Sequence, residues 1–399
     1  MSDLDNQESA ETYLCHGPFD PANFGGVVNP PVYHTSTVIF KSCKELAERH
    51  KALFENAEDD IMYYGRFGTP TTFAIQKALA ALEGGYRSLL VPTGLAACTS
   101  ALLALVKTGD HILVSSSVYG PTRGFINKVL AKMGVSATFF SPTIGERIIE
   151  LFQENTTVVF TESPGSQTFD IQDIPAITKI AHARNAKVII DNTWATPLFF
   201  KPFDHGVDVS VHAATKYIVG HSDAQMGLIT ANEQTWPVIR QFVHLYGLHA
   251  APDDVYLAQR GLRTMSLRLE RHQTSALKIA RWFEEREEVE QVLHPALPSC
   301  PGHEIWKRDF TGSSGLFSVV LKPQYSKESV ENFIDHLNYF GIGFSWGGFE
   351  SLAIPFNPQV DRPEYHWPYQ GQAFRLQIGL ENPNDLLKDI EQALCYLRA

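Results

Sequence analysis

The chain predicts an α/β protein, with a mostly parallel sheet of about seven strands and a smaller α+β domain at the C-terminal end. Two observations carry this. From about residue 70, short runs that are apolar throughout alternate with amphipathic segments of helical length, as in strands buried on both faces of a parallel sheet by the helices between them. Past about residue 262 that alternation gives way to a long charged helix, Pro-rich turns and isolated strands.

Taken in order, Thr69 and Pro70 open a helix, with Pro in its first turn, and Gly84-Gly85 stops it. A strand over Arg87–Val91 leads into a helix that begins at Gly94 and ends before Gly109. HILVS (His111–Ser115) is a strand, followed by a helix over 121–133. TVVFTE (157–162) and KVIID (Lys187–Asp191) repeat the theme, separated by a helix that Asp173 caps. VDVSVHA (207–213) and MGLIT (226–230) complete the sheet. Beyond it come a helix over 266–285, the strand LFSVVLK, a helix ending near Phe340, the strand AFRLQIG and a terminal helix. The expected division is an irregular Pro/Gly-rich arm over 1–68, a large domain over 69–261 and a small domain over 262–399.

Composition narrows the function classes. With 399 residues, 44% of them hydrophobic and 19% charged, the chain is ordinary globular material with more than one packed unit. A formal charge of -11 without basic stripes excludes a nucleic-acid partner. No apolar run approaches the ~20 residues that span a bilayer. The acidic start MSDLDNQESAETYLC does not read as a secretory or transit leader. The five cysteines (Cys15, Cys43, Cys98, Cys300, Cys395) form no CxxC, and reduced thiols in the cytoplasm are the simplest reading.

Ligands of parallel α/β sheets bind beyond the carboxyl ends of the strands, and three features fall there. In VPTGLAAC, Gly94 and Leu95 open a helix whose free amides attract an anion, although a glycine before a helix is also common punctuation. Asp191 ends the strand KVIID and reads equally as a turn former or as the partner of a protonated heterocycle nitrogen. Lys216, between Thr215 and Tyr217 after another strand, sits among small and apolar residues. Most lysines are solvated surface charges, but desolvation there lowers the pKa and suits Schiff-base chemistry. Together, a phosphate cradle, a ring-nitrogen partner and an amine on successive strand ends point to a pyridoxal 5'-phosphate (PLP) enzyme. There is no early G-x-G-x-x-G and no G-x-x-x-x-G-K-[ST]; GIGFSW (341–346) fails at the third glycine. Histidines such as His34, His212, His221 and His244 lack metal-ligand spacing, so no metal is expected.

The motifs YYGRFGTPT, LEGG, ESPGS, DNTWATPLFFKP, ATKYIVGHSDAQMG, RGLRT, SWGGFESL and FRLQIGLEN are similar to those of the cysteine/methionine-metabolism PLP enzymes of fold type I, which are aspartate-aminotransferase-like. The resemblance runs from about Asn29 to the C-terminus. It implies that Lys216 is the Schiff-base lysine and Asp191 the pyridinium partner. It further implies that Tyr119 stacks on the cofactor ring, and that Gly94, Leu95 and the Thr215 hydroxyl hold the phosphate. Tyr64 and Arg66 match the pair that reaches the phosphate of a neighbouring subunit, which implies an obligate dimer, commonly doubled to a homotetramer. Arg375 matches the clamp for the substrate carboxylate, with Ser345 and Trp346 beside it.

Within the family, DNTWA, SWGGFES and ESPGS resemble the bacterial cystathionine β-lyases. That implies a carbon–sulfur lyase performing β-elimination on cystathionine or a related sulfur amino acid and giving pyruvate, ammonia and a thiol. The alternatives are a γ-lyase on methionine, cystathionine or an O-substituted homoserine such as canavanine, and a catalytically silent binding protein. Three positions depart from the pattern. After Tyr119 the turn offers Arg123 and no acid for a distal ammonium; Phe67 stands where a second arginine is often found; Ala213 replaces a serine near the phosphate.

Overall fold

The structure is a computed structural model that describes residues 9–17, 19–55 and 60–397; the acidic start at 1–8 lies outside them. The first sheet contains β1 (Arg87–Val91), β2 (His111–Ser115), β3 (Ser136–Phe140), β4 (Thr156–Glu162), β5 (Lys187–Asp191), β6 (Val209–Ala213) and β7 (Gly227–Ala231). Its order is β1-β7-β6-β5-β4-β2-β3. Strand β7 runs antiparallel to both neighbours and the remaining pairs are parallel. Nearly every residue of β2, β5 and β6 is buried, which is why these strands read as unbroken apolar runs.

Helices on both faces begin and end where their sequence demands. Pro70–Glu83 starts behind Thr69 with Pro in its first turn and stops at Gly84, whose φ of 76° is the left-handed conformation that glycine adopts without strain. In Gly94–Leu105 the Thr93 side chain caps the first turn by accepting from the Ala96 N–H at 3.0 Å.

The second sheet contains β8 (Val289–Leu293), β9 (Leu316–Leu321), β10 (Phe340–Gly341), β11 (Ser351–Phe356) and β12 (Ala373–Gln377), in the order β10-β11-β12-β9-β8. The helices Met265–Glu284, Lys327–Asp335 and Pro383–Ala393 pack against it around Phe283, Phe317, Phe333 and Phe374. The two sheets share a core in which Ile190 and Trp194 meet Phe310, Leu316 and Val320. The Trp194 indole N–H donates to the Leu316 carbonyl at 2.9 Å, so the DNTWA motif is also the peg that seats one sheet on the other.

Several elements differ from the sequence expectation. The seventh strand, β3, is SATFF at a sheet edge; its half-exposed residues never make an apolar run. Strand β8 carries Glu290 and Gln291, and β11 carries Pro355, which masks a strand pattern. The segment 121–133 is helical, but Gly120–Phe125 passes into a wider turn at Ile126–Leu130 and a tighter one at Ala131–Met133. The helix expected to run to Phe340 stops at Asp335, and Phe340 belongs to β10. In the arm, serine-capped helices occupy Ala10–His16 and Cys43–His50.

Beneath the strand ends, His212 Nε2 lies 2.7 Å from Glu83 Oε1, and Asn192 donates to the same oxygen at 3.3 Å; all three side chains are buried. Removing one member of such a group leaves uncompensated polarity inside the protein. Glu83→Ala is expected to lower stability by about 3–5 kcal/mol, read as a fall in the denaturation midpoint; an unchanged midpoint contradicts this.

Candidate active site

The carboxyl ends of β1, β2, β4, β5 and β6 lie at the same edge of the sheet, and the space beyond them is the candidate cleft. Lys216 lies just past β6, where its amide donates to the Ala213 carbonyl at 3.0 Å and turns the chain back over the sheet. Its Nζ donates to Ser345 Oγ at 2.6 Å and lies 5.3 Å from the centre of the Trp346 ring. Ser345 adopts a φ of 83°, and its carbonyl accepts from Arg375 Nη2 at 3.0 Å. One serine thus joins the lysine of the first sheet to the arginine of the second. Gly347 follows with a φ of 82°, and a Cβ there would stand 3.0 Å from the Lys216 carbonyl carbon, so the loop reaches the lysine only as glycine.

Desolvation is the largest influence on Lys216, followed by the Arg375 charge; together, against a smaller pull from Asp191, they bring its pKa down to about 8. Arg375 is itself buried in the middle of β12, and that burial brings it down to about 10.

Asp191 is the last residue of β5 and lies level with Glu162 at the end of β4. Its Oδ1 accepts from the Thr193 amide at 3.0 Å and the Thr193 hydroxyl at 2.5 Å, and its Oδ2 from Cys98 Sγ at 3.7 Å. Burial lifts its pKa above the usual carboxylate range, against the pull of these donors and of His212. Tyr119 begins the helix after β2, and its amide donates to Glu162 Oε2 at 2.6 Å. Desolvation is the largest influence on its phenol too and raises the pKa, as do Cys98, Glu162 and Asp191; Arg375 lowers it.

The residues fit the group that the sequence implies. Arg375 Nε is buried without a hydrogen-bond partner. Asp191 has no cation in ion-pair range among the described residues. The Gly94 and Leu95 amides stand in the first turn of their helix, where no intrahelical acceptor exists. A Cβ on Gly94 would run into the Ala213 Cβ and come within 2.7 Å of its Cα, so glycine is needed for the helix to approach β6. An anion for Arg375, a cationic ring nitrogen for Asp191, a phosphate for the helix amides and a carbonyl for Lys216 complete these half-pairs.

Other expected site residues lie elsewhere or have other partners. The Thr215 hydroxyl is engaged with the backbone of Met226, lying 3.0 Å from its N and 3.3 Å from its O. Tyr64 is exposed, and Arg66 donates to the His244 carbonyl at 2.5 Å; neither joins Lys216 or Asp191 of the same chain. Phe67 packs edge-on against His244. Arg123 does not face the cleft as a free cation. Its guanidinium lies over Phe139, 3.9 Å from the ring centre, and pairs with Glu364 at 2.9 Å.

Glu364 belongs to a strap, residues 357–371, between β11 and β12. Arg362 of the strap donates to the Ser166 carbonyl at 2.8 Å, and the Tyr365 hydroxyl meets both Asp170 oxygens at 2.9 Å. The strap contacts and the roles of Cys98, Thr193 and Glu162 beside the site do not follow from the sequence reading. Glu162 alone carried a usable signal there, an acid closing TVVFTE as Asp191 closes KVIID.

Fold and site define an enzyme that works with pyridoxal phosphate. The family model for Cys/Met metabolism PLP-dependent enzymes matches residues 11–395, and the chain belongs to that family, with pyridoxal 5'-phosphate as its cofactor. A Rhizobium johnstonii relative is 50% identical over 97% of this chain and 96% of its own length. The Escherichia coli K12 cystathionine beta-lyase MetC is 43% identical over 92% of this chain and 93% of its own. The L-alanine/L-glutamate racemase of Wolbachia pipientis wMel is 41% identical, over 94% of each chain. Among solved structures, metB from Corynebacterium glutamicum superposes with a TM-score of 0.88 at 31% identity, covering 98% of this chain and 99% of that one.

Two predictions follow from this geometry. Gly94→Ala is expected to weaken PLP binding at least about tenfold by fluorescence titration, because the helix must retreat from β6. Gly124→Ala, where a Cβ meets open space, is the matched control and leaves affinity unchanged. With the Lys216 pKa near 8, the neutral amine that attacks a carbonyl is scarce at low pH. The rate of PLP uptake by apoenzyme is therefore expected to rise as pH increases towards 8 and to level off above it; a flat stopped-flow profile contradicts the lysine assignment.

Proposed function

We propose that the protein is a carbon–sulfur lyase that performs β-elimination on cystathionine or a closely related sulfur amino acid, releasing pyruvate, ammonia and a thiol. The observation that carries this is the convergence of Lys216, Asp191, Tyr119 and Arg375 on one cleft in a chain 43% identical to an enzyme named cystathionine beta-lyase.

Arg375 takes the substrate carboxylate in a two-pronged pair, and Ser345 keeps its guanidinium aimed. Pyridoxal phosphate, when bound, supplies the electron sink into which a deprotonated Cα delocalises. Asp191 would hold the proton on its ring nitrogen, the Gly94 and Leu95 amides would hold its phosphate, and Tyr119 would pack beside it. Lys216, with its lowered pKa, removes the Cα proton; the Cβ–S bond then breaks with its electron pair leaving on sulfur, which takes up a proton as the thiol, and one water hydrolyses the remaining three-carbon fragment to pyruvate and ammonia.

The arm over 1–68 is proposed to reach a neighbouring subunit, where Tyr64 and Arg66 complete that subunit's phosphate site in a dimer that doubles to a homotetramer. The outward-facing Val28, Ile39, Phe54 and Tyr64 support an interface there. A cytoplasmic location fits five free cysteines, three of them exposed. Among the described residues no helix is long and apolar enough to cross a membrane.

The test is product identification with purified enzyme and L-cystathionine. Pyruvate with a free thiol is expected; 2-oxobutanoate moves the reaction to γ-elimination. D-alanine formed from L-alanine without C–S cleavage moves it to the chemistry named for the Wolbachia relative. Lys216→Ala is expected to abolish turnover, and normal rates in that variant overturn the base assignment. Arg375→Lys is expected to raise KM by one to two orders of magnitude, roughly 1.4–3 kcal/mol, because an ammonium cannot make the paired contact.

A further inference from the structure

We propose that Glu162 is a positioning residue for Tyr119: its carboxyl group holds the Tyr119 amide and thereby fixes the phenol over the cofactor ring. The inference rests on the Tyr119 assignment above.

Tyr119 has few other restraints. It stands where β2 gives way to a helix, its side chain makes no capping bond, and it is about half exposed. What anchors its backbone from the neighbouring strand is the 2.6 Å bond to Glu162 Oε2. Glu162 is itself held. It is the last residue of β4, in register with Asp191, and its carbonyl accepts from Gln172 Nε2 at 2.5 Å. Its carboxyl group is surrounded by protein, and desolvation is the largest influence on it.

Two carboxyl groups at paired strand ends, facing one cleft, cannot both carry charge cheaply. The surroundings divide the roles. Asp191 has three donors, two from Thr193 and one from Cys98, whereas Glu162 has the single Tyr119 amide. The charged and titratable groups facing Glu162 are Asp191 from β5, Cys98 from the helix Gly94–Leu105, Tyr119 itself and Arg362 from the strap. Desolvation first, then the Asp191 charge, raise the Glu162 pKa well above the usual carboxylate range, and Tyr119 and Arg362 offset this only in part. This favours the neutral form of Glu162, one oxygen of which receives the Tyr119 amide at 2.6 Å.

The experiment compares holoenzyme carrying Glu162→Gln or Glu162→Ala with the parent. It reads the pH titration of the cofactor's visible absorbance, its visible circular dichroism, and kcat and KM for thiol release from cystathionine. Glutamine keeps an acceptor oxygen and a neutral group, so its titration midpoint and dichroism are expected to match the parent, with kcat within about threefold. Alanine removes the acceptor; its dichroic band is expected to weaken and kcat to fall roughly 10- to 100-fold with KM little changed, the scale of an ångström-level misplacement. A midpoint shift of a full pH unit in Glu162→Gln overturns the proposal, because Glu162 then carries charge. So does a Glu162→Ala enzyme with unchanged dichroism and kcat. If the alanine variant does not fold, the glutamine titration decides. A parent enzyme that makes no pyruvate from cystathionine defeats the substrate reading, while the spectral comparison still tests Glu162.

Discussion

The structure depends on the seating of the second sheet over the carboxyl ends of the first. Without that contact, Lys216 is an ordinary surface amine. With it, the loop bearing Ser345, Trp346 and Gly347 closes over the lysine, and Arg375 arrives from β12. Exclusion of water then does what charge alone does not: it lowers the proton affinity of the lysine, raises that of the carboxyl groups, and leaves Arg375 with a buried donor awaiting an anion. Trp194 does much of the seating, and it lies three residues beyond Asp191. One short motif therefore supplies both a buried acid at a strand end and the apolar contact that dries its surroundings.

The parallel register accounts for the rest. Adjacent parallel strands end level with one another, so Glu162, Asp191 and the turn to Lys216 stand side by side although they are far apart in sequence. Helices that start from those ends present their free amides to the same space. Free helix amides, two buried acids and a desolvated amine are the ordinary outcome of this geometry once the end residues are polar.

How much of this was legible in the sequence follows from how each signal arises. Strands buried on both faces announce themselves, and so do the acid and lysine at their ends, because polar residues interrupt apolar runs there. Edge strands such as β3 and β8 have one wet face and leave only a mixed pattern. Contacts across long separations leave no local trace: the turn after Tyr119 offers Arg123 and no acid in sequence, while the partner of Arg123, Glu364, lies 241 positions downstream. Thr215 shows the converse. Its place beside Lys216 was legible, but its hydroxyl's engagement with the Met226 backbone is a matter of how β6 and β7 meet.

The strap is held independently of the lysine and its partners. Its anchors (Arg362 on Ser166, Tyr365 on Asp170, Glu364 on Arg123) share no residue with Lys216, Asp191 or Arg375. Loss of any one anchor therefore breaks none of the hydrogen bonds that hold Lys216 to Ser345, Asp191 to Thr193 or Arg375 to Ser345. Its one electrostatic tie to the strand ends is the Arg362 charge acting on Glu162.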